Sequence, residues 1–261
     1  MKIRCYLPPE KWDRSVIQIN GREAHHLAHV LRVSPGFKVT CFDGQGTQAQ
    51  AVVRSVSRKG VSLELGQRLP LEEAAPRPSG QRQPVPPPPW QVSLAVAIPK
   101  KGKLDQIVDQ ATQLGVHRLI PLLTGRGVVR IRLEEWPRKE PRLKQIVVEA
   151  GKQAGVDRLP ILDSPIGWDD FVRSMEGYDR ILMATVEGPH EDLGKLLSHG
   201  PVAKILLLIG PEGDWTSKEI EQAVGVGAHR ISLGPTVLRC ETAVVSGLSI
   251  VTALLRGRFR P

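Results

Sequence analysis

Apolar and polar residues alternate with a period of two in the first third of the chain. The clearest stretch is residues 37–42, and it is followed by Asp43-Gly44, a pair typical of a tight turn. Residues 49–56 and 60–65 repeat the alternation. Because successive side chains of a strand point to opposite faces, the pattern predicts three neighbouring short strands.

One helix is predicted ahead of these strands, over residues 23–32. Leu27, Val30 and Leu31 fall on one face of that helix and are expected to be buried together. Several short strands and one helix within residues 1–75 favour a small β-barrel.

A proline-rich stretch at residues 76–90 separates this region from the rest of the chain. Proline fixes φ and lacks an amide hydrogen, so the stretch is predicted to be neither a helix nor a central strand. It is typical of an extended, semi-rigid linker between domains at 1–75 and 91–261. The alternative is an ordered loop lying across one domain.

Beyond residue 90, apolar runs alternate with amphipathic segments. This order favours an α/β domain built on a mostly parallel sheet. The predicted strands are 92–98, 119–123, 180–185 and 205–209; the predicted helices are 103–114, which Gly115 ends, 141–153, one that opens with a capping box at Thr216 and runs toward Val224, and 241–256.

The composition is that of a folded protein, since 41% of residues are hydrophobic and 24% are charged. No uninterrupted apolar run approaches the roughly 20 residues that span a bilayer. The N-terminus has no apolar segment typical of a secretory signal. Three distant cysteines do not suggest a disulfide framework, so a cytoplasmic protein is expected.

The chain is basic, with 36 Lys and Arg against 27 Asp and Glu, a net charge of +9 and a pI of about 9.7. A surplus of this size favours a polyanionic partner such as a nucleic acid. Residues 1–75 carry 11 basic and 7 acidic side chains, so the surplus per residue is greater there. Only 4% of residues are aromatic, which argues against a base-stacking platform.

Common nucleotide and metal motifs are missing from the sequence. It contains no P-loop, no G-x-G-x-x-G that opens a helix and no H-E-x-x-H. His25, His26 and His29 lie close together, but no carboxylate or cysteine accompanies them at a spacing that suits a metal. No metal site is therefore expected, and the histidines are interpreted as a polar helix face near RNA phosphates.

One unusual stretch is residues 206–215, where a buried strand leads directly into Gly210-Pro211-Glu212-Gly213 and then into a capped helix. Ligands of open α/β sheets bind at the carboxyl ends of the strands. Glycines at that place allow a close backbone approach. The plainer interpretation is an ordinary tight turn between strand and helix.

A second unusual stretch is residues 233–243. Arg239 and Glu241 stand at the start of an otherwise apolar helix. Ala243 and Gly247 lie four residues apart on it, which permits close helix packing. The plainer interpretation is a core helix with an exposed ion pair at its N-terminus.

Together these two stretches resemble the RsmE family of SPOUT methyltransferases. That family shows a GPEGG-type loop followed by an LG…LR.ETA segment, in this order and at about this spacing. Further similarity lies at 25–36, 98–100, 111–116 and 150–153. It covers most of the chain except the proline-rich linker.

The resemblance implies a small PUA-like barrel followed by a SPOUT α/β domain with a C-terminal trefoil knot. It also implies S-adenosylmethionine as the methyl donor, and a homodimer in which the Ala243–Gly247 face packs. The implied reaction is methylation of a uridine N3 in small-subunit (16S) ribosomal RNA, on the assembled 30S subunit.

The resemblance also assigns roles to residues. Arg239 would stabilise the negative charge that develops on the uracil oxygens, and Glu241, Glu212 or water would take the proton. The donor would be bound by three loops, through Ala184, Thr185, Glu187, Ile209, Gly210, Pro211, Glu212, Gly213, Leu233, Gly234 and Leu238. Independently of the resemblance, the basic surplus of the N-terminal part predicts RNA phosphate contacts at Arg22, Arg32 and Arg54. Arg126, which the family pattern retains, is also predicted to bind RNA.

Three positions depart from the family pattern. Gly125-Arg126-Gly127 replaces Glu-Arg-Ser, Lys152-Gln153 replaces Glu-Gln, and Asp214 replaces the second glycine of the GPEGG loop. Two alternatives therefore remain open. One is a SPOUT enzyme that methylates an RNA ribose 2′-oxygen, and the other is a ribosome assembly factor without catalysis.

Overall fold

The computed structural model describes residues 3–70, 88–100, 102–127 and 133–259. The described residues up to Pro70 form one compact unit together with Gly151–Leu159, and the remaining described residues form a second unit. The predicted linker at 76–90 lies outside the described residues, except for its last three.

The N-terminal unit is built on a five-stranded sheet with the order β1-β3-β4-β5-β2. Its strands are β1 (Arg4–Tyr6), β2 (Val16–Ile19), β3 (Lys38–Phe42), β4 (Thr47–Ser57) and β5 (Gly60–Pro70). β1 pairs with β3 in parallel, and the other pairs are antiparallel. The three strands predicted from alternation are confirmed, because inward-facing residues such as Val39, Val53 and Leu63 form the core.

The helix of this unit differs from the predicted one. α1 (Gly21–His25) continues into a π-helical turn, His26–Val30, in which the Leu31 amide donates to the His26 carbonyl at 2.9 Å. The wider turn inserts an extra residue and rotates the side chains that follow. Leu27 is buried as predicted, but Val30 is 60% exposed, so the predicted apolar face is wrong at that position.

Two ion pairs fix the segment Gly151–Leu159 within the N-terminal unit. The Arg4 guanidinium pairs with Asp157, both side chains are more than nine-tenths buried, and the guanidinium lies 4.4 Å from the Phe42 ring centroid. Lys152 Nζ lies 2.8 Å from a Glu23 carboxylate oxygen and is also buried. Lys152 therefore has a structural partner at a position where the family pattern has glutamate.

The second unit is built on a seven-stranded sheet in which every pairing is parallel. The order is β12-β10-β11-β6-β7-β8, and β9 pairs with β7. The strands are β6 (Gln91–Ala97), β7 (Arg118–Leu123), β8 (Ile161–Leu162), β9 (Ile166–Gly167), β10 (Arg180–Ala184), β11 (Lys204–Ile209) and β12 (Ala228–Ile231). The predicted parallel α/β sheet is confirmed.

Six helices are described from residue 88 onward: α2 (Lys103–Gln113), α3 (Trp136–Ala154), α4 (Trp168–Arg173), α5 (Leu193–Ser198), α6 (Ser217–Gly225) and α7 (Cys240–Arg258). α3 begins well before the predicted residue 141. Trp136 is 3% exposed and anchors the first turn, so Pro141 lies inside the helix although it lacks an amide hydrogen. Gly115, with φ +77°, follows α2 as predicted.

α7 is long and apolar enough to cross a membrane by length and composition alone. Its buried side, which includes Val244 and Val251, is instead that of a core helix. A Cβ at Gly247 would lie 2.9 Å from a methyl carbon of Leu207, so this glycine lets α7 approach β11. The prediction that the Ala243–Gly247 face packs in a dimer is therefore wrong, because Gly247 faces the sheet of its own chain.

Candidate functional site

Three loops meet at one edge of the second sheet. They follow the carboxyl ends of β10, β11 and β12, which are adjacent parallel strands in the order β12-β10-β11. Parallel strands that lie side by side bring the loops after them to the same edge. These segments are here termed loop 1 (184–187), loop 2 (210–214) and loop 3 (232–238).

The three loops and the start of α7 line an open pocket with a cavity volume of about 120 Å³. The lining residues are Ala184, Thr185, Val186, Ile209, Gly210, Pro211, Asp214, Ser232, Leu233, Gly234, Pro235, Thr236, Val237, Leu238, Cys240 and Ala243.

Most of the residues predicted to bind a methyl donor line this pocket. Those that do so are Ala184, Thr185, Ile209, Gly210, Pro211, Leu233, Gly234 and Leu238, whereas Glu187, Glu212 and Gly213 do not. Sequence reasoning missed Asp214, Ser232 and Cys240 as parts of the pocket wall. The sequence could have indicated these residues, because each is adjacent to a residue that was already predicted to belong to the site.

Loop 2 is held from outside the pocket. Arg126 donates from Nη1 to the Gly213 carbonyl at 2.9 Å, and a Cβ at Gly213 would meet only the Arg126 side chain, at 3.6 Å. Gly213 therefore faces Arg126. A Cβ at Gly210 would lie 3.0 Å from the buried ring of Trp215, so the close packing favours glycine there.

Two consecutive residues hold loop 1. The Trp215 indole donates from Nε1 to the Ala184 carbonyl at 2.9 Å, and Asp214 Oδ2 accepts from the Val186 amide at 3.0 Å. Asp214 has a left-handed backbone, with φ +58°. Asp214 thus joins loop 2 to loop 1, and Trp215, the residue after loop 2, adds a hydrogen bond of opposite direction.

Loop 3 depends on a glycine. Gly234 has φ +138°, a conformation that favours glycine, and its carbonyl accepts from the Ser232 hydroxyl at 3.1 Å. Val237 is 72% exposed. This loop therefore has a fixed start and an exposed apolar side chain near the pocket.

The capping box predicted at Thr216 is confirmed. Glu219 is 4% exposed, and one of its carboxylate oxygens also accepts from the Gly125 amide at 2.8 Å. A Cβ at Gly125 would lie 3.2 Å from a methyl carbon of Thr216. The departure at Gly125 therefore has a structural reason, because the start of α6 is packed closely against it.

The two candidate catalytic side chains begin α7 but do not pair with each other. Arg239 is exposed at the N-cap position. Glu241 Oε1 lies 2.6 Å from Lys103 Nζ. That hydrogen bond, followed by a backbone hydrogen bond and the charges of Lys103 and Arg239, lowers the pKa of the Glu241 carboxyl. Glu241 is consequently a weaker proton acceptor than a free glutamate.

Cys240 lies between these two residues and lines the pocket. Burial, together with the negative charges of Glu212 and Glu241, raises the pKa of its thiol to about 12. The thiol stays protonated at neutral pH, so it is a small apolar part of the pocket wall and not a nucleophile.

The residues predicted to bind RNA are all exposed. Arg22, Arg32 and Arg54 belong to the N-terminal unit, and Arg126 to the second. Arg54 pairs with Glu64 on the neighbouring strand. In the part of the chain that the structure describes, no group of three or more His, Cys, Asp and Glu side chains is placed to bind a metal.

Comparison with known proteins identifies the family. Residues 86–252 match the RNA methyltransferase domain, and residues 19–66 match the RNA methyltransferase PUA domain. Ribosomal RNA small subunit methyltransferase E of Bacillus subtilis is 30% identical over 253 residues, 94% of each chain. The chain belongs to the ribosomal RNA small subunit methyltransferase E family.

Other family members agree with this assignment. The Synechocystis enzyme of the same name is 30% identical over 98% of this chain and 78% of its own. A putative methyltransferase from Legionella pneumophila, solved with its cofactor SAM, is 28% identical, with a TM-score of 0.83 over 97% of this chain and 98% of its own. The predicted family and the PUA-containing α/β fold are therefore confirmed.

Proposed function

We propose that this chain methylates N3 of a uridine in 16S ribosomal RNA, with S-adenosylmethionine as donor and the assembled 30S subunit as substrate. The observation that carries the proposal is the three-loop pocket next to exposed Arg239, in a chain of this family. The names of the relatives and the SAM-bound Legionella structure support it.

The pocket suits a donor of this kind. Ile209, Leu233 and Leu238 supply apolar walls for an adenine ring, while Thr185 and Ser232 supply hydroxyls. Glycines in loops 2 and 3 leave backbone groups accessible to a ligand. When bound, S-adenosylmethionine supplies an electrophilic methyl group on a sulfonium.

Arg239 is proposed to stabilise charge on the substrate. Uridine N3 becomes nucleophilic when its proton is removed, and the resulting negative charge spreads onto O2 and O4. A guanidinium stays protonated and carries several donors in a fixed plane, so it stabilises that charge without acting as the base.

The proposed proton acceptor is Glu212 or water. Lys103 holds Glu241 as a carboxylate of lowered pKa, which makes it a positioning residue for the start of α7. Glu212 is exposed on loop 2, and its Oε1 lies 3.4 Å from the Lys100 amide nitrogen. A Glu212→Gln variant separates the two acceptors, because only loss of a glutamate base would lower the rate about 10²-fold or more.

The N-terminal unit is proposed to bind RNA through phosphate contacts. The proposed domains are 1–75 and 91–261 with a linker at 76–90, and the segment Gly151–Leu159 packs with the N-terminal unit. Its match to the RNA methyltransferase PUA domain supports this role. We also propose the C-terminal trefoil knot that the family resemblance implies. Because ribosomal subunits are the proposed substrate, we also propose a cytoplasmic location.

A homodimer is proposed to form through the outward side of α7. No charged residue lies between Glu241 and Arg256, and Ile250 and Leu254 are more than one-third exposed on that side. The double substitution Ile250→Lys and Leu254→Lys should convert a dimer into a monomer in light scattering. A wild-type monomer would contradict this part of the proposal.

The function is tested by methylation with labelled donor. Purified protein is incubated with 30S subunits or naked 16S rRNA from cells that lack the modification, and the modified nucleotide is then mapped. A uridine N3 product formed preferentially on 30S subunits is expected. A ribose 2′-O-methyl product would favour the other SPOUT activity, and a protein that binds 30S subunits but not the donor would favour the assembly factor.

A further inference from the structure

We infer that Asp214 is a positioning residue for donor binding, because its carboxylate holds Val186 and thereby sets the shape of loop 1. This inference rests on the proposed function. Asp214 and Val186 both line the pocket, and the Val186 amide donates to Asp214 Oδ2 at 3.0 Å. The family pattern has glycine at this position, so the hydrogen bond is a property of this chain.

Packing alone does not hold loop 1 in place. Val186 is 49% exposed, although it immediately follows Thr185, which is buried. Arg230 and the Thr185 hydroxyl hold the end of the loop at the Glu187 carbonyl. Its middle is held by Trp215 at the Ala184 carbonyl and by Asp214 at the Val186 amide. These two contacts lie two residues apart and fix both a carbonyl and an amide, so they set the orientation of the peptide groups between them.

The backbone conformation of Asp214 orients its carboxylate. The Asp214 amide donates to the Pro211 carbonyl at 2.9 Å, which closes a turn in loop 2. With φ +58°, the position favours Gly, Asn or Asp. Of these three, only Asn and Asp combine the required backbone with a short acceptor for the Val186 amide.

The expected consequence is a preorganised pocket. A loop that is already fixed loses less conformational entropy when the ligand binds. Removal of the acceptor should free Val186 and weaken donor affinity by about tenfold, the effect of one hydrogen bond to a charged group. The global fold should be unaffected, because glycine adopts the backbone of residue 214 without strain.

The test compares Asp214→Gly with Asp214→Asn. S-adenosylmethionine affinity is measured by calorimetry, and exchange of the Val186 amide is measured in the ligand-free protein. We expect Asp214→Gly to exchange faster at Val186 and to bind about tenfold more weakly, while thermal melting shows that it still folds cooperatively. Asp214→Asn should restore both properties, since its side-chain oxygen accepts the same hydrogen bond.

A matched control is Asp192→Gly, which removes a comparable bond from Asp192 to the Lys195 amide (2.8 Å) outside the pocket lining. It should leave donor affinity unchanged. Unchanged donor affinity in Asp214→Gly would overturn the inference and leave the proposed function standing. A wild-type protein that binds no donor would overturn both.

Discussion

The ammonium nitrogen of Lys103 lies 2.6 Å from a carboxylate oxygen of Glu241, across 138 residues of sequence. This contact joins the first turn of α2 to the first turn of α7. It also changes the chemistry of the candidate site, because a carboxylate that already accepts from a lysine has less capacity to take a proton from a substrate.

The Lys103–Glu241 pair predicts a pH-dependent stability difference. In the folded protein the pKa of Glu241 is lowered, chiefly by the hydrogen bond from Lys103. A lowered folded-state pKa stabilises the protein above the unfolded-state pKa, and this contribution is lost as the pH falls through the folded-state pKa. Lys103→Met should therefore lower the free energy of unfolding at pH 7 by about 1 kcal/mol or less, with no difference in acid.

Urea unfolding between pH 7 and pH 3 measures this effect. Lys144→Met is a suitable control, because Lys144 pairs with Glu140 on the exposed surface of α3. If the difference in free energy of unfolding between wild type and Lys103→Met stays constant across this pH range, the lysine acts through packing and not through the charge of Glu241.

Arg239→Ala should separate catalysis from stability. The side chain is exposed and makes no capping hydrogen bond, so its loss should change the free energy of unfolding by less than about 0.5 kcal/mol. Methyl transfer in a single turnover should fall by about 10²-fold or more, as for loss of one charge-stabilising donor. Arg256→Ala, at the other end of the same helix, is the control. Near wild-type transfer by Arg239→Ala would remove this residue from the mechanism.

Gly210→Ala should damage the pocket more than Gly213→Ala. The new Cβ at residue 210 would press on the Trp215 ring. That ring has little room to move, because it is buried and donates a hydrogen bond to the Ala184 carbonyl. Overpacking of this kind costs about 1–3 kcal/mol. The new Cβ at residue 213 would make an ordinary contact with Arg126. We expect Gly210→Ala to have a lower donor affinity by calorimetry and a lower melting temperature than Gly213→Ala. Equal effects of the two substitutions would contradict the prediction that only the Gly210 contact is too close for a Cβ.

Salt dependence should distinguish the arginines of the N-terminal unit. Arg22 is exposed and has no acidic partner among the described residues, whereas Arg54 is paired with Glu64. Arg22→Gln should lower the slope of log affinity against log salt for 30S binding by about one unit. Arg54→Gln should lower it less, because Glu64 already compensates part of its charge. Equal slopes for wild type and Arg22→Gln would exclude a phosphate contact at Arg22.

Local sequence predicted the regular elements well where the signal comes from neighbouring residues. The apolar run at 205–209 became the buried strand β11, and the capping box at Thr216 opened α6. β12 was not predicted from the sequence, because it is an edge strand of four residues that contains His229 and Arg230. The start of α3 was misplaced because the buried contact of Trp136 outweighs the local effect of Pro141.

The sequence by itself determined the family, the parallel sheet and the segments that form the pocket, because periodicity, turn residues and motifs depend on residues close together in the chain. Tertiary structure decided which side chains act together there. It forms the ion pair between Glu241 and Lys103, packs Gly247 against β11 and forms the hydrogen bond between Asp214 and Val186. Each of these contacts joins residues far apart in sequence, and each is fixed by strand order and helix packing, which no local pattern encodes.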